Sequence, residues 1–303
     1  MENLKKFYIG GQWNTPISDV TMPVLNPATE KQIATVAMGN ANDVDNAVAA
    51  AKIAFQRFSK TSAEERLALL YKLKDATERR LEDLAQAMRL EMGAPITMAR
   101  EAQADAAIGH LNGFIEALEG FNHHAILTNG DHLIHEPIGV CGLITPWNWP
   151  MNQIALKVIP ALATGCTCVL KPSEHTPISA ILYAEIIHEA GYPPGVCNLI
   201  NGDGPTVVSA LSRHPDVQMM SFTGSTEAGI AVAQASAVSV KRVHQELGGK
   251  SSNIVLDDVA DLEKSVRGGA GHCFLNLGQS CNAPTKMLVS AKNYDQAVEV
   301  AVK

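Results

Sequence analysis

The chain has 303 residues, 46% hydrophobic and 18% charged, with a formal net charge of -7 and a pI near 5.8. These values fit a folded globular protein rather than a disordered one, and the length suits two domains. An acidic balance without a basic cluster excludes the usual electrostatic footprint for nucleic acid or an anionic membrane, so neither is an expected partner.

No apolar run approaches the roughly 18 residues that a spanning helix needs. Met1 to Phe7 lacks the apolar core of a signal peptide. Six cysteines are too few for a disulfide framework in a chain this long, and a reducing cytoplasm is expected. Cys141, Cys166, Cys168, Cys197 and Cys273 are read as small buried hydrophobes. Cys166 and Cys168 stand one residue apart without a partner pair, so no metal site is expected.

In chain order, Val44, Val48, Ala51 and Phe55 predict a helix over 42–58. The capping-box pattern Ser62-Ala63-Glu64-Glu65 starts a second, carried through Leu70, Leu73, Leu84 and Met88 and stopped at Gly93 and Pro95. A third is expected over 100–119. Their charged outer and apolar inner faces suit helices that cover a sheet. Between Phe121 and Pro137, polar–apolar alternation around Asn129-Gly130 predicts a hairpin. Its four histidines lack carboxylate or cysteine companions and are read as surface or interface residues.

From Ile138 the pattern becomes short apolar runs alternating with helices. Strands are expected over 139–144, 166–170, 196–200, 217–222 and 254–256, and helices over 152–163, 177–190, 205–212 and 226–236. Near-continuously apolar strands separated by helices imply an α/β, doubly wound parallel sheet with ligands at the strands' carboxyl ends.

Three motifs carry chemistry. Gly278-Gln279-Ser280-Cys281 sets a cysteine behind a glycine turn, 35 positions after Glu246-Leu247-Gly248-Gly249-Lys250. The first supplies a nucleophile and the second a carboxylate base. Pro146-Trp147-Asn148-Trp149-Pro150 adds a side-chain amide able to hold an oxyanion. The usual G-x-G-x-x-G dinucleotide fingerprint is absent, because Val207 stands where Gly202-Asp203-Gly204 would need its third glycine. Residue by residue, plainer readings compete. Lys171 and Glu174 can be a solvated pair, Gly204 and Gly224 ordinary turns, and Lys157 a helix-face lysine.

Together with Tyr8-Ile9-Gly10-Gly11-Gln12-Trp13, Asn26-Pro27-Ala28-Thr29, Lys171-Pro172-Ser173-Glu174 and Phe222-Thr223-Gly224-Ser225-Thr226-Glu227, these motifs resemble the aldehyde dehydrogenase superfamily along the whole chain. The resemblance implies an NAD(P)-dependent oxidation of an aldehyde to an acid through a cysteine thioester. In it Cys281 is the nucleophile, Asn148 the oxyanion donor and Glu246 the base, with Lys157 near that glutamate. Ile144, Trp147, Lys171, Ser173, Glu174, Gly204, Gly224 and Ser225 would hold the cofactor. Glu174 would favour NAD over NADP, because a carboxylate repels a 2′-phosphate. Trp149, Gln153, Leu156 and Ser280 would face a small-molecule aldehyde.

The same resemblance implies a Rossmann-like NAD-binding domain over 1–247, an oligomerisation hairpin at 119–137, and the start of a catalytic domain over 248–303. A homo-oligomer, dimer or tetramer, is expected of the full-length form. Family members continue well past Lys303, so the sequence is read as truncated soon after Cys281. The alternative reading is a catalytically silent NAD-binding or interaction module derived from such an enzyme.

Overall fold

The amino-terminal segment forms sheet edges before any helix: β1 (Phe7–Ile9), β2 (Gln12–Asn14), β3 (Thr21–Asn26) and β4 (Lys31–Ala37). The fold is that of a computed structural model describing residues 2–303. α1 (Ala41–Phe58) follows, its Asn40 cap accepting from Asn42 and Asp43 while Asp43 returns a bond to the Asn40 N–H. Such reciprocal capping satisfies amides that have no partner within the helix.

The helix expected from Ser62 to Gly93 is two helices, α2 (Ala63–Arg79) and α3 (Leu81–Glu91). The break is at Arg80, whose backbone leaves helical geometry (φ -109°, ψ 11°). Its guanidinium pairs with Asp83, Glu185 and Glu189, contacts between distant segments that helical periodicity does not contain. The helix expected at 100–119 starts earlier, as α4 (Ile96–Met98) and a wide π turn (Ala99–Ala104) leading into α5 (Asp105–Glu119).

The hairpin is present as β5 (His124–Ile126) and β6 (His132–Ile134), with the Leu127 N–H bonded to the Asp131 carbonyl and Gly130 at φ +89°. Beyond it come β7 (Val140–Ile144), α6 (Pro150–Ala163), β8 (Thr167–Lys171), α7 (Pro177–Glu189) and β9 (Cys197–Leu199). A second π turn (Gly204–Val208) leads into α8 (Ser209–Arg213), then β10 (Met219–Gly224), α9 (Thr226–Ser236) and β11 (Arg242–Leu247).

Among the described residues the main sheet has the order β11-β10-β7-β8-β9-β1-β2. β10, β7, β8 and β9 are parallel, as expected, but β1 runs antiparallel to β9 and to β2. The apolar pattern does not mark that edge, because it forms where Tyr8 meets Leu199 from far along the chain. Of the three early helices, α1 lies against β7, β8 and β9. α2 and α5 pack on α6, and α3 on α7, forming an outer layer rather than a direct cover for the sheet. Leu70, Leu73, Met88, Leu111, Met151, Ile154 and Leu170 fill the core between these layers.

The chain divides into two compact units, one ending at Glu246 and the other Leu247–Lys303. The second contains β12 (Ser252–Val255), α10 (Leu262–Phe274), β13 (Lys286–Val289) and α11 (Tyr294–Val302), with β12 and β13 parallel. No described helix is long and apolar enough to cross a membrane.

Candidate active site

The order of the parallel strands creates a crevice. The chain steps from β7 to β8 to β9 in one direction, then returns to place β10 on the other side of β7. Helices leaving β7 and β10 therefore diverge, and a ligand site opens between their carboxyl ends. Ile144 closes β7 in register with Lys171 of β8 and Phe222 of β10, so three strands deliver candidate residues to one edge.

The loop after β7 is tied down at both ends. The Thr145 N–H donates to the Lys171 carbonyl at 3.2 Å, and the Gln103 side chain donates to the Asn148 carbonyl at 3.1 Å. Pro150 then opens α6, where its missing N–H costs nothing. Trp147 stays exposed, whereas Asn148 and Trp149 are half-buried. The chain thus fixes the Asn148 backbone, which limits where its amide can reach.

Lys171 is buried, and its ammonium meets the Glu174 carboxylate at 2.7 Å. This is not the solvated pair that a local reading allows. Burial works against the Glu174 charge, but the adjacent Lys171 prevails and holds the carboxyl below its ordinary range. Ser173 between them is buried, its hydroxyl accepting from the His175 N–H at 3.3 Å.

A groove of about 630 Å³ lies between the Gly204 turn with α8 and the helix α9. Gly204, Ser209, Ser225 and Glu227 give it polar points, while Val208, Ala231 and Val232 give it apolar walls. Ser225 caps α9, its hydroxyl accepting from the Ala228 N–H at 3.2 Å. The amino end of α9, with its positive dipole end, therefore follows directly on Gly224 at the crevice.

Lys157 is buried on α6 and donates to the Ser221 hydroxyl at 2.9 Å. Burial pushes its ammonium down to about 8, against the opposing pull of the Glu246 charge. Glu246, near the end of β11, is exposed and lies 3.3 Å from the His244 ring. Gln153 is half-buried on the first turn of α6, and Leu156 is more exposed.

In the second unit Cys281 is exposed, in a turn closed by the Ala283 N–H on the Ser280 carbonyl. The approach to it is strained: Asn276, Leu277 and Gly278 follow one another at positive φ. Only Gly278 adopts this region without a steric cost. At Gly249 an added Cβ would meet the Cys281 carbonyl at 3.0 Å, so that glycine lets the backbone pass close to the cysteine segment.

Comparison with known proteins decides the family. A family model described as the aldehyde dehydrogenase family matches residues 13–303. The chain belongs to the aldehyde dehydrogenase family. It is 50% identical over 302 residues to a 3-succinoylsemialdehyde-pyridine dehydrogenase from a Pseudomonas species, covering 99% of this chain and 63% of that protein. It is also 50% identical to a variant aldehyde dehydrogenase C from Pseudomonas syringae solved with NAD+ and octanal, at a TM-score of 0.97. That match covers 99% of this chain and 61% of the other. An NAD+ complex of an aldehyde dehydrogenase from Bacillus cereus matches at 37% identity and a TM-score of 0.94, covering 99% and 62%. The chain thus spans a little over three-fifths of the relatives' lengths.

Within this aldehyde dehydrogenase chain, the motif reading missed two threonines. The hydroxyls of Thr145 and Thr223 are buried without a hydrogen-bond partner beside Ile144 and Gly224. Buried hydroxyls normally find partners, so a pair of orphans at this edge fits a ligand that supplies them. The signal was present in the sequence as a threonine at the end of two apolar runs. Cys273 departs from the expected burial, being half-exposed, whereas Cys141, Cys166, Cys168 and Cys197 are buried. Among the described residues no group of three potential metal ligands converges.

Proposed function

We propose that this chain carries out, or contributes most of the machinery for, oxidation of an aldehyde to a carboxylic acid with NAD+. The observation that carries the reading is the convergence of Ile144, Lys171, Glu174, Gly224 and Ser225 on the carboxyl edge of the sheet beside two orphaned threonine hydroxyls. NAD+, when bound, supplies the acceptor for the hydride removed from substrate carbon. The Val208–Ala231 groove suits a flat base, the helix end at Ser225 an anionic phosphate, and the Lys171–Glu174 pair ribose hydroxyls. Glu174 disfavours a 2′-phosphate, so NAD is preferred over NADP.

Cys281 acts as the nucleophile that attacks the aldehyde carbonyl, and the Asn148 amide with the Cys281 N–H holds the oxyanion. Glu246 takes a proton from the water that cleaves the Cys281 thioester. Lys157, its charge already weakened by burial, tunes that carboxylate through space. Trp149, Gln153, Leu156 and Ser280 face the substrate. We read 1–247 as the NAD-binding domain and 248–303 as part of the catalytic one.

The hairpin exposes Ile126, Leu133 and Ile134, which supports its use in homo-oligomer assembly. Buried thiols support a cytoplasmic setting.

The test mixes the chain with NAD+ and octanal and follows NADH together with acylation of Cys281 by mass spectrometry. Cys281→Ala should remove both, by about a hundredfold or more. Glu246→Gln should give one burst of NADH and then accumulate acyl-Cys281. Near-normal turnover in the Cys281 variant overturns the mechanism.

A further inference from the structure

Alanine dominates the segment that joins α4 to α5, and one residue in it breaks the pattern. Ala99, Ala104 and Ala107 are buried and demand no polar partner. Gln103 is fully buried as well, and among the described residues from 99 to 111 it is the one polar side chain that is. Burying an amide is costly unless its hydrogen bonds are made, so the contacts of Gln103 show what its place in the fold requires.

The backbone widens at this point. The Asp105 N–H reaches back five residues to the Arg100 carbonyl, the bond of a π turn rather than an α turn. From this turn the Gln103 amide meets two other elements. It lies 3.5 Å from the Met92 sulfur at the end of α3, and its nitrogen donates to the Asn148 carbonyl at 3.1 Å. A carbonyl only accepts, so the amide can face it only with its nitrogen. Seven residues on, about two turns along α5, the His110 ring nitrogen Nε2 meets the Asn152 side-chain oxygen at 2.7 Å. The π turn and α5 therefore grip the Asn148 loop and the first turn of α6 at two points.

The point of attachment matters for the chemistry. Residues 145–149 belong to no strand or helix. Pro146 and Pro150 fix φ on either side of Asn148, and the Thr145 N–H anchors the start of the loop on Lys171. Gln103 adds a bond at the peptide group of Asn148 itself. Displacing that peptide carries the side-chain amide with it, and an error of about 1 Å at a reacting centre can cost a hundredfold in rate.

The geometry points to Gln103 as a positioning residue for aldehyde oxidation: it holds the Asn148 peptide so that the side-chain amide meets the oxyanion formed from the substrate carbonyl. This rests on the reading of Asn148 as the oxyanion donor. No proton or covalent bond moves through Gln103. His110, through Asn152, holds the turn that follows.

The experiment compares the chain with Gln103→Met, which keeps the length and apolar contact of the side chain and removes its donor. Hydrogen exchange read by mass spectrometry should show the amides of Trp147, Asn148 and Trp149 exchanging about tenfold faster in the variant, with those of β8 unchanged. With octanal and NAD+, kcat should fall about tenfold while KM stays within about twofold, the pattern of an interaction used in the transition state. In an Asn148→Ala background the same substitution should change kcat by less than about twofold. A merely structural glutamine would cost the same in both backgrounds and would overturn the proposal, as would unchanged exchange in the loop. An unmodified chain that forms no NADH defeats the reading of the activity instead, and loop exchange alone then decides the role of Gln103.

Discussion

β8 in the first unit and β13 in the second read alike, Thr-Cys-Val-Leu-Lys and Lys-Met-Leu-Val, yet they end in different environments. Every residue of β8 is buried, because α1 and α6 cover it and parallel neighbours flank it. In β13 exposed and half-buried residues alternate, and its partner β12 exposes Ile254 as well. An apolar strand is buried by what packs on it, not by its own composition. The same contrast separates the thiols: Cys166 is buried beside β8 and accepts from the Thr164 hydroxyl, whereas Cys281 is exposed, three residues after a run of positive φ.

Equivalent truncations in the two strands should show the largest difference. Leu170→Ala removes a side chain that is 2% exposed and should cost about 2–5 kcal/mol. Leu288→Ala acts at a site 51% exposed and should cost less than about 1 kcal/mol. Urea unfolding of both variants measures the gap, and equal losses would break the comparison.

The packed unit should also carry a pH signature. Glu91 is buried on α3 and accepts the N–H groups of Ile178 and Ser179, at 2.5 and 2.9 Å, at the start of α7. Burial nevertheless pushes its carboxyl up from 4.5 to about 7. Because the folded value is the higher one, this contribution is complete below the unfolded pKa and is lost as pH rises through about 7. The span is on the order of 3 kcal/mol. Glu91→Gln should flatten the dependence, as read by chemical unfolding at about pH 5 and about pH 8.

Two glycines give the smallest effect. Gly278, at φ +73°, should lose about 1 kcal/mol on replacement by alanine. Gly204 has ordinary φ and open space around its Cα, so Gly204→Ala should stay within about 0.5 kcal/mol. Thermal unfolding of the two variants compares them directly.

Much of the first unit was legible in the sequence. The cap at Ser62, the apolar strands from Val140 to Gly224 and the helices between them follow from local rules, and their strand–helix alternation dictates a parallel sheet. What local rules do not contain is the partner from elsewhere in the chain. The Arg80 break depends on Glu185 and Glu189, and the antiparallel edge depends on Tyr8 meeting Leu199. Candidate positions such as Lys171, Glu174 and Ser225 were named from motif order, but their environments were not.

By itself, then, the sequence determined the alternating strands and helices from Val140 to Ser236, the candidates for nucleophile, base and cofactor roles, and the family pattern they follow. Tertiary structure alone decided that Lys171 and Glu174 form a sheltered ion pair, that burial weakens the Lys157 charge, and that Thr145 and Thr223 keep unmatched hydroxyls. The reason is physical: propensity and periodicity act over a few residues, whereas desolvation and charge pairing depend on whichever atoms, near or far in sequence, the fold brings within a few ångströms.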